Sequence, residues 1–298
     1  MPVNSFVRRR LKVTFTLLGS GAVFAGTNSN TLKVTGLRMS ATVQAVSRLA
    51  AQATLRVFGM KREDMDAISI AWANPPVVLD HTVLIEADNG EGFSKVFSGT
   101  IIEAQPQYSA QPEVYLSVTA KCGYFNQIQP AEPTSYTETV DIPLVAGDLA
   151  ARMRNGNGDP FAFINGGANA VLAGPIYLHG TLVDQLDTAC QMAGCDYYIA
   201  NDTVTITPRG QPIEGAVATV KLNKDTGLIQ SPSYGNGGLN VTAIYNPAFD
   251  NGVPLDIESI VPQATGRWYP FSMTHSLEQL VPNGKWQTEM VCLRRGFA

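Results

Sequence analysis

From residue 11 the side chains alternate: Leu11, Val13, Phe15 and Leu17 are apolar, and Lys12, Thr14 and Thr16 between them are polar. A period of two marks a strand with one buried face, because successive side chains of an extended chain point to opposite sides. Similar short strand-like runs recur at residues 32–35 before Gly36, at 37–43, and at 53–58 before Gly59. Residues 82–87 and 95–102 flank a turn containing Asp88, Asn89, Gly90 and Gly92, which predicts a hairpin, and residues 114–120 alternate again. Between 61 and 71, Glu63 and Asp64 precede Met65, Ile68 and Trp72 at helical spacing, so one short helix is expected there. The N-terminus has a second reading. Arg8, Arg9 and Arg10 before an apolar stretch, with small residues near Val23 and Ala25, resemble a secretory signal. Gly19, Ser20, Gly21 and the alternation interrupt the continuous run such a signal uses, so a strand is the preferred reading.

The pattern changes past residue 127. Pro130, Pro133 and the Ser/Thr-rich stretch around Tyr136 mark a crossing, and residues 141–154 read as a helix stopped by Asn155-Gly156. A Gly/Asn-rich loop is expected through Gly167. Thr181 and Asp184 then have capping-box spacing, Leu182, Leu186, Ala189, Cys190 and Ala193 share one face, and Gly194 stops the helix. Tyr197-Tyr198-Ile199 and Val204-Thr205-Ile206 around Asn201-Asp202 predict a tight hairpin. From residue 216 the chain is strand-like once more, with turns expected at 231–238, 246–247, 250–254, 262–266 and 282–284, a spacing that suits a sandwich or barrel. The expected architecture is mainly β with a small α+β module, divided as 1–127, 128–212 and 213–298.

Several function classes are excluded by composition. A chain of 298 residues with 45% hydrophobic content is neither disordered nor short of a core. It has no apolar run long enough for a membrane helix, and its net charge of −4 does not suit gripping nucleic-acid phosphates. Only 15% of its residues are charged, so much of the surface is polar but uncharged. Cys122, Cys190, Cys195 and Cys292 lack paired metal spacing and read as buried thiols, and His81, His179 and His275 lie far apart and read as structural. Carboxylate groups at Glu63/Asp64/Asp66, Asp184/Asp187 and Asp250/Asp256/Glu258 suit a helix start, an exposed helix face, and a turn with its strand better than an acid/base pair. Basic groups at 8–12, 61–62 and 294–295 read as solvated ends or contacts between subunits, and Trp268, Tyr269, Phe271 and Trp286 as core. No catalytic, cofactor or metal-binding residue is assigned. The residues alone lead to a β-rich structural or binding protein.

The order of segments resembles the baseplate hub, or tail hub, proteins of long-tailed bacteriophages and related tails. ATLRVFGMKREDMDAIS at 53–69 resembles the hub strand that ends in a glycine and turns into a short capping helix. Residues 83–107 are similar to the following hairpin, whose second strand here reads Val96-Phe97-Ser98-Gly99-Thr100-Ile101. Residues 180–210 resemble the small middle domain, and residues 226–260 with the segment GRWYPFSMTHSLEQLVPNGKWQTEMVC resemble a second barrel. The resemblance implies two tail-tube-like β-barrel domains, 1–127 and 213–298, and a middle domain, 128–212. It also implies a non-enzymatic homotrimer forming a pseudo-sixfold ring in the virion tail, assembled in the host cytoplasm. Its partners would be tail tube or distal tail proteins, a central spike and a tape measure protein, with DNA passing through the channel without specific binding. The chain has no lysozyme-like segment. The competing expectation is an exported β-rich carbohydrate-binding protein, with an enzyme using two of the carboxylates third.

Overall fold

The computed structural model describes residues 8–19, 22–69, 81–110, 112–215, 220–235 and 237–294. The first region holds β1 (Arg10–Thr16), β2 (Thr31–Thr35), β3 (Met39–Val46), β4 (Gln52–Phe58), α1 (Arg62–Ile68), β5 (Thr82–Asp88), β6 (Phe93–Gln107) and β7 (Tyr115–Lys121). The middle region holds α2 (Phe125–Ile128), β8 (Thr134–Tyr136), β9 (Val140–Asp141), α3 (Ile142–Arg152), β10 (Ala162–Asn165), β11 (Val171–Leu172), β12 (Ile176–Leu178), α4 (Leu182–Met192), β13 (Cys195–Ala200) and β14 (Thr203–Pro208). The last holds β15 (Val220–Leu222), β16 (Ser233–Gly235), β17 (Gly238–Ile244), β18 (Leu255–Ile257), β19 (Gly266–Gln279) and β20 (Trp286–Leu293). The chain is therefore mainly β with a small α+β module.

Strands of the first and last regions belong to one sheet of 13 strands, ordered β16-β17-β20-β19-β3-β4-β7-β6-β5-β1-β2, with β18 added on β19 and β15 on β18. Among the described residues this path ends at β16 and β2 and does not close into a barrel. The alternation decides which side is core: Leu11, Val13 and Phe15 of β1, Leu55 and Val57 of β4, and Leu116 and Val118 of β7 are all buried. β6 lets the sheet fold over itself. Its first half, Phe93 to Thr100, pairs with β5, and its second half, Thr100 to Gln107, pairs with β7, with register shifts in both ladders. Gly99 sits where the two halves meet. A Cβ there would lie 2.6 Å from the Phe97 ring and 2.8 Å from the Lys121 carbonyl oxygen, so no larger residue fits without movement. At the start of the fold, Arg10 pairs with the buried Asp88 carboxylate. Burial pushes the Asp88 carboxyl up, but Arg10 and the amides of Gly90 and Gly92 outweigh it and hold it below its ordinary value.

The N-terminal and C-terminal regions are joined where β19 pairs antiparallel with β3, from Ser272 opposite Val46 to Gln279 opposite Met39. Buried polar groups fasten the same junction. The Gln279 side chain accepts the Leu11 amide and donates to the Leu37 carbonyl. Asn89 donates to the Tyr245 carbonyl at 2.9 Å and accepts the Trp286 indole N–H at 2.6 Å. Pro270 is accommodated in β19 because the ladder to β20 shifts register there, where no amide has to be offered.

In the middle region α3 and α4 pack on the sheet β10-β14-β13, burying Val145, Leu149, Leu186 and Cys190. The expected capping box is formed: Thr181 Oγ1 accepts the Asp184 amide and the Asp184 carboxylate accepts the Thr181 amide. The expected β13–β14 hairpin also forms, and Asn201 and Asp202 both adopt positive φ, as its two-residue turn requires. Three expectations are corrected. The loop expected through Gly167 contains β10, which pairs in parallel with β14; its four residues between glycine clusters are too few to show a period. The turn expected across 231–238 contains β16, paired with β17, so reversal is confined to 235–238. The helix expected at 61–71 ends at Ile68, and Trp72 lies outside the described residues.

Replacing Gln279 by Ala strands a buried amide and a carbonyl from two other segments. Urea denaturation of Gln279→Ala is expected to show a loss of about 2–4 kcal/mol. The transition is expected to stay single, because both β regions share one sheet.

Candidate functional site

Among the described residues no group of three or more His, Cys, Asp and Glu side chains could hold a metal ion. A continuous surface is the outer face of β17-β20-β19-β3-β4-β7-β6. Since the inward positions of these strands are apolar, the outward positions form rows across the sheet. One row reads Thr242, Glu289, Thr274, Gln44, Gln52 and Lys121. The next reads Ile244, Gln287, Ser276, Thr42, Thr54, Thr119 and Glu103. A third reads Glu278, Ser40, Arg56, Ser117 and Gln105. None of these side chains is buried. Hydroxyls and amides fill the centre of the face, and the few charges on it carry both signs. Gln287 donates to Glu289 at 2.8 Å, and the Glu278 carboxylate accepts the Lys285 amide, so two of the acids are already engaged. The middle row offers neither the cationic donors that hold phosphates nor the aromatic faces that stack bases, while Lys121 and Arg56 stand in the rows on either side of it.

A profile for the family described as baseplate hub gp41 matches residues 10–279. The chain belongs to the baseplate hub gp41 family. That family is a structural component of phage tails, and the fold agrees. The hub chain is similar to the tail protein from Neisseria meningitidis MC58, at 10% identity and TM-score 0.61, covering 96% of this chain and 97% of that one. It is similar to the 43 kDa tail protein of prophage MuSo2 from Shewanella oneidensis, at 10% identity and TM-score 0.58, covering 96% and 98%. It also resembles the E. coli c3393 protein, a component of the type VI secretion system described as structurally similar to the T4 tail proteins gp27 and gp5, at 11% identity, TM-score 0.58 and coverage of 87% and 74%. No curated protein matches the sequence significantly.

The carboxylates weighed as catalytic are dispersed in this hub. Asp66 pairs with Arg62 and accepts from the Tyr108 hydroxyl. Asp184 caps α4, Asp187 pairs with Arg48, and Asp256 makes a two-pronged pair with Arg267. Glu258 accepts from Asn223, and Asp250 accepts the Asn251 amide. The four cysteines are free and buried. Burial pushes the Cys122 and Cys292 thiols up to about 12, so they are not available as thiolates. Of the aromatics expected in the core, Trp268, Tyr269 and Trp286 are buried, and Phe271 is only half-buried. Arg10, Lys12 and Arg62 of the basic groups are engaged in ion pairs, and Arg294 lies over the Trp268 ring.

His81 accepts the Leu18 amide, and His179 lies beside Tyr177 with ring centroids 6.0 Å apart. His275 lies on the inner side of the same strands, opposite Thr288, with a ring nitrogen 2.8 Å from the Thr288 hydroxyl and Tyr245 edge-on to its ring. Burial lowers its pKa from 6.5 to about 4. The folded chain thus keeps the ring neutral where the unfolded chain takes up a proton, so stability is full above pH 6.5 and falls as the pH drops toward 4. The expected loss is about 3 kcal/mol across that window. Denaturation midpoints measured from pH 7 to 4 should show it, and His275→Gln should flatten the slope over the same interval.

Proposed function

We propose that this hub is a non-enzymatic structural ring component of a bacteriophage baseplate. Three copies form a pseudo-sixfold ring from two barrel-like units each, residues 1–127 and 213–298, with residues 128–212 as a middle domain. The ring joins the tail tube to the central spike, contacts distal tail and tape measure proteins, and surrounds the channel through which DNA leaves. The subunit is assembled into virion tails in the host cytoplasm; no helix among its described residues is long and apolar enough to cross a membrane.

The observation that carries this reading is the outer face described above, where hydroxyls and amides outnumber the charges and Glu103, Glu278 and Glu289 stand with Arg56 and Lys121. It runs without a break across the β19–β3 junction, so both β regions present the same surface. A wall of threonine, serine and glutamine carries little charge with which to retain counterion-clad DNA, and so lets it slide. Among the described residues the sheet is also open at both ends, and the second half of β6 pairs with β7 alone, which leaves strand edges for neighbouring copies to satisfy.

Thr54, Thr42 and Ser276 are cross-strand neighbours at the middle of the face. The variant carrying Thr54→Lys, Thr42→Lys and Ser276→Lys places three cations per chain along the wall. It should assemble into tails of normal length that eject DNA more slowly at low salt, with the rate restored as salt rises. Ejection at the normal rate in low salt sinks the channel assignment. Persistent monomers among hubs released from intact tails sink the ring.

A further inference from the structure

The rows of the outer face end in a belt of rings and guanidinium groups. Phe58 and Tyr115 are opposite each other in the β4–β7 ladder, Tyr115 is opposite Gln107 of β6, and the Phe58 amide donates to the Arg38 carbonyl at 2.9 Å. The Arg38 guanidinium lies 3.8 Å from the Phe58 ring centre, the two rings are 5.0 Å apart, and Arg56 lies 5.7 Å from the Tyr115 ring. Just past the end of β6, Arg62 of α1 lies 5.6 Å from the ring of Tyr108. A cation over a ring occurs about once per 70–80 residues, so three such pairs at one end of one sheet are a concentration. Glu113 pairs with Arg38 and Asp66 with Arg62, whereas Arg56 is in no ion pair among the described residues. The belt, on the β6 side of the face, therefore has one guanidinium without a carboxylate.

The β17 side of the same face carries the complement. Leu228 bridges Ala243 of β17 on the edge away from β20, and the Ile229 amide donates to the Thr242 carbonyl at 2.9 Å. This segment and the residues after β18 wall a cleft of about 470 Å³. Ile229 and Ile260 line it at 49% and 87% exposure, and Ile260 is the most exposed large apolar side chain among the described residues. Asp225, Glu258 and Lys224 line it too, two carboxylates to one ammonium, and none of them is in an ion pair among the described residues. Isoleucine held in water costs transfer free energy that a covering partner recovers. Tyrosine and arginine dominate binding at protein interfaces, whereas the belt's near balance of charge does not suit a phosphate backbone. Two different patches at opposite sides of one face are what a head-to-tail ring needs. We propose that the cleft of one copy receives the Tyr108–Tyr115 belt of the next, with the rings against Ile229 and Ile260 and Arg56 facing Glu258. The assignment rests on the ring reading above and names the surfaces that meet.

Native mass spectrometry of the full-length chain tests it. Ile260→Asp breaks the cleft and Tyr108→Asp the belt; both side chains are exposed, and melting temperatures equal to wild type show that the variants fold. Each variant alone should lose the three-copy species that wild type forms. Mixed together they should form pairs and go no further, because a mixed pair has one intact belt against one intact cleft. Arg56→Glu and Glu258→Arg should each weaken association about tenfold or more, and the chain carrying both should recover it. Folded variants that still form three copies, or mixtures that do not pair, overturn this contact and leave the ring standing. A wild-type chain that never passes the monomer overturns the ring and this contact with it.

Discussion

The antiparallel pairing of β19 with β3 is the contact on which the rest of the molecule depends. Eight consecutive residue pairs join segments more than two hundred positions apart in the chain. Loop-closure cost grows only with the logarithm of that separation, so one long ladder with a buried apolar side can outweigh it. Once it forms, the rows of the outer face are in register across both β regions, Gln279 reaches Leu11 and Leu37, and Asn89 reaches Tyr245 and Trp286. The corner where the middle module docks lies at the far end of the same strand pair, where Ser47 meets Phe271.

The low charge of the chain takes on a structural form here. Outward positions on a soluble sheet are usually where lysine and glutamate accumulate, yet along the middle row of this one, from Gln287 to Thr119, they are threonine, serine and glutamine. Thr42, Thr54 and Thr119 adjoin one another on successive strands, and β-branched hydroxyl residues suit that place because they keep extended backbone while presenting a polar group. Charge is instead drawn into local pairs, Lys12 with Glu86 and Arg267 with Asp256 among them, away from the centre of the face.

Local features were legible in the residues, and long-range ones were not. The alternation at Leu11 to Leu17 foretold β1, and Asn201-Asp202 foretold the hairpin, since each signal lies within a few residues of its cause. Thr181 and Asp184 foretold a capping box even though aspartate is shorter than the usual partner. β10 escaped notice because its strand character comes from pairing with β14, some forty residues later, and β16 because a three-residue edge strand has no period to read. The same reasoning explains the face. Ser276, Thr42 and Thr54 are unremarked singly, and only the β19–β3 register makes them neighbours. His275 is buried against Thr288, and nothing near it in sequence announces that partner.

β6 belongs to two layers at once, paired with β5 through one half and with β7 through the other. Layers held only by side-chain packing can slip past one another under load, since the packed surfaces have no fixed partner. Here any sliding of one layer against the other would have to stretch or bend a single continuous backbone at Gly99. Shear between the layers is therefore borne in part by the covalent bonds of that strand.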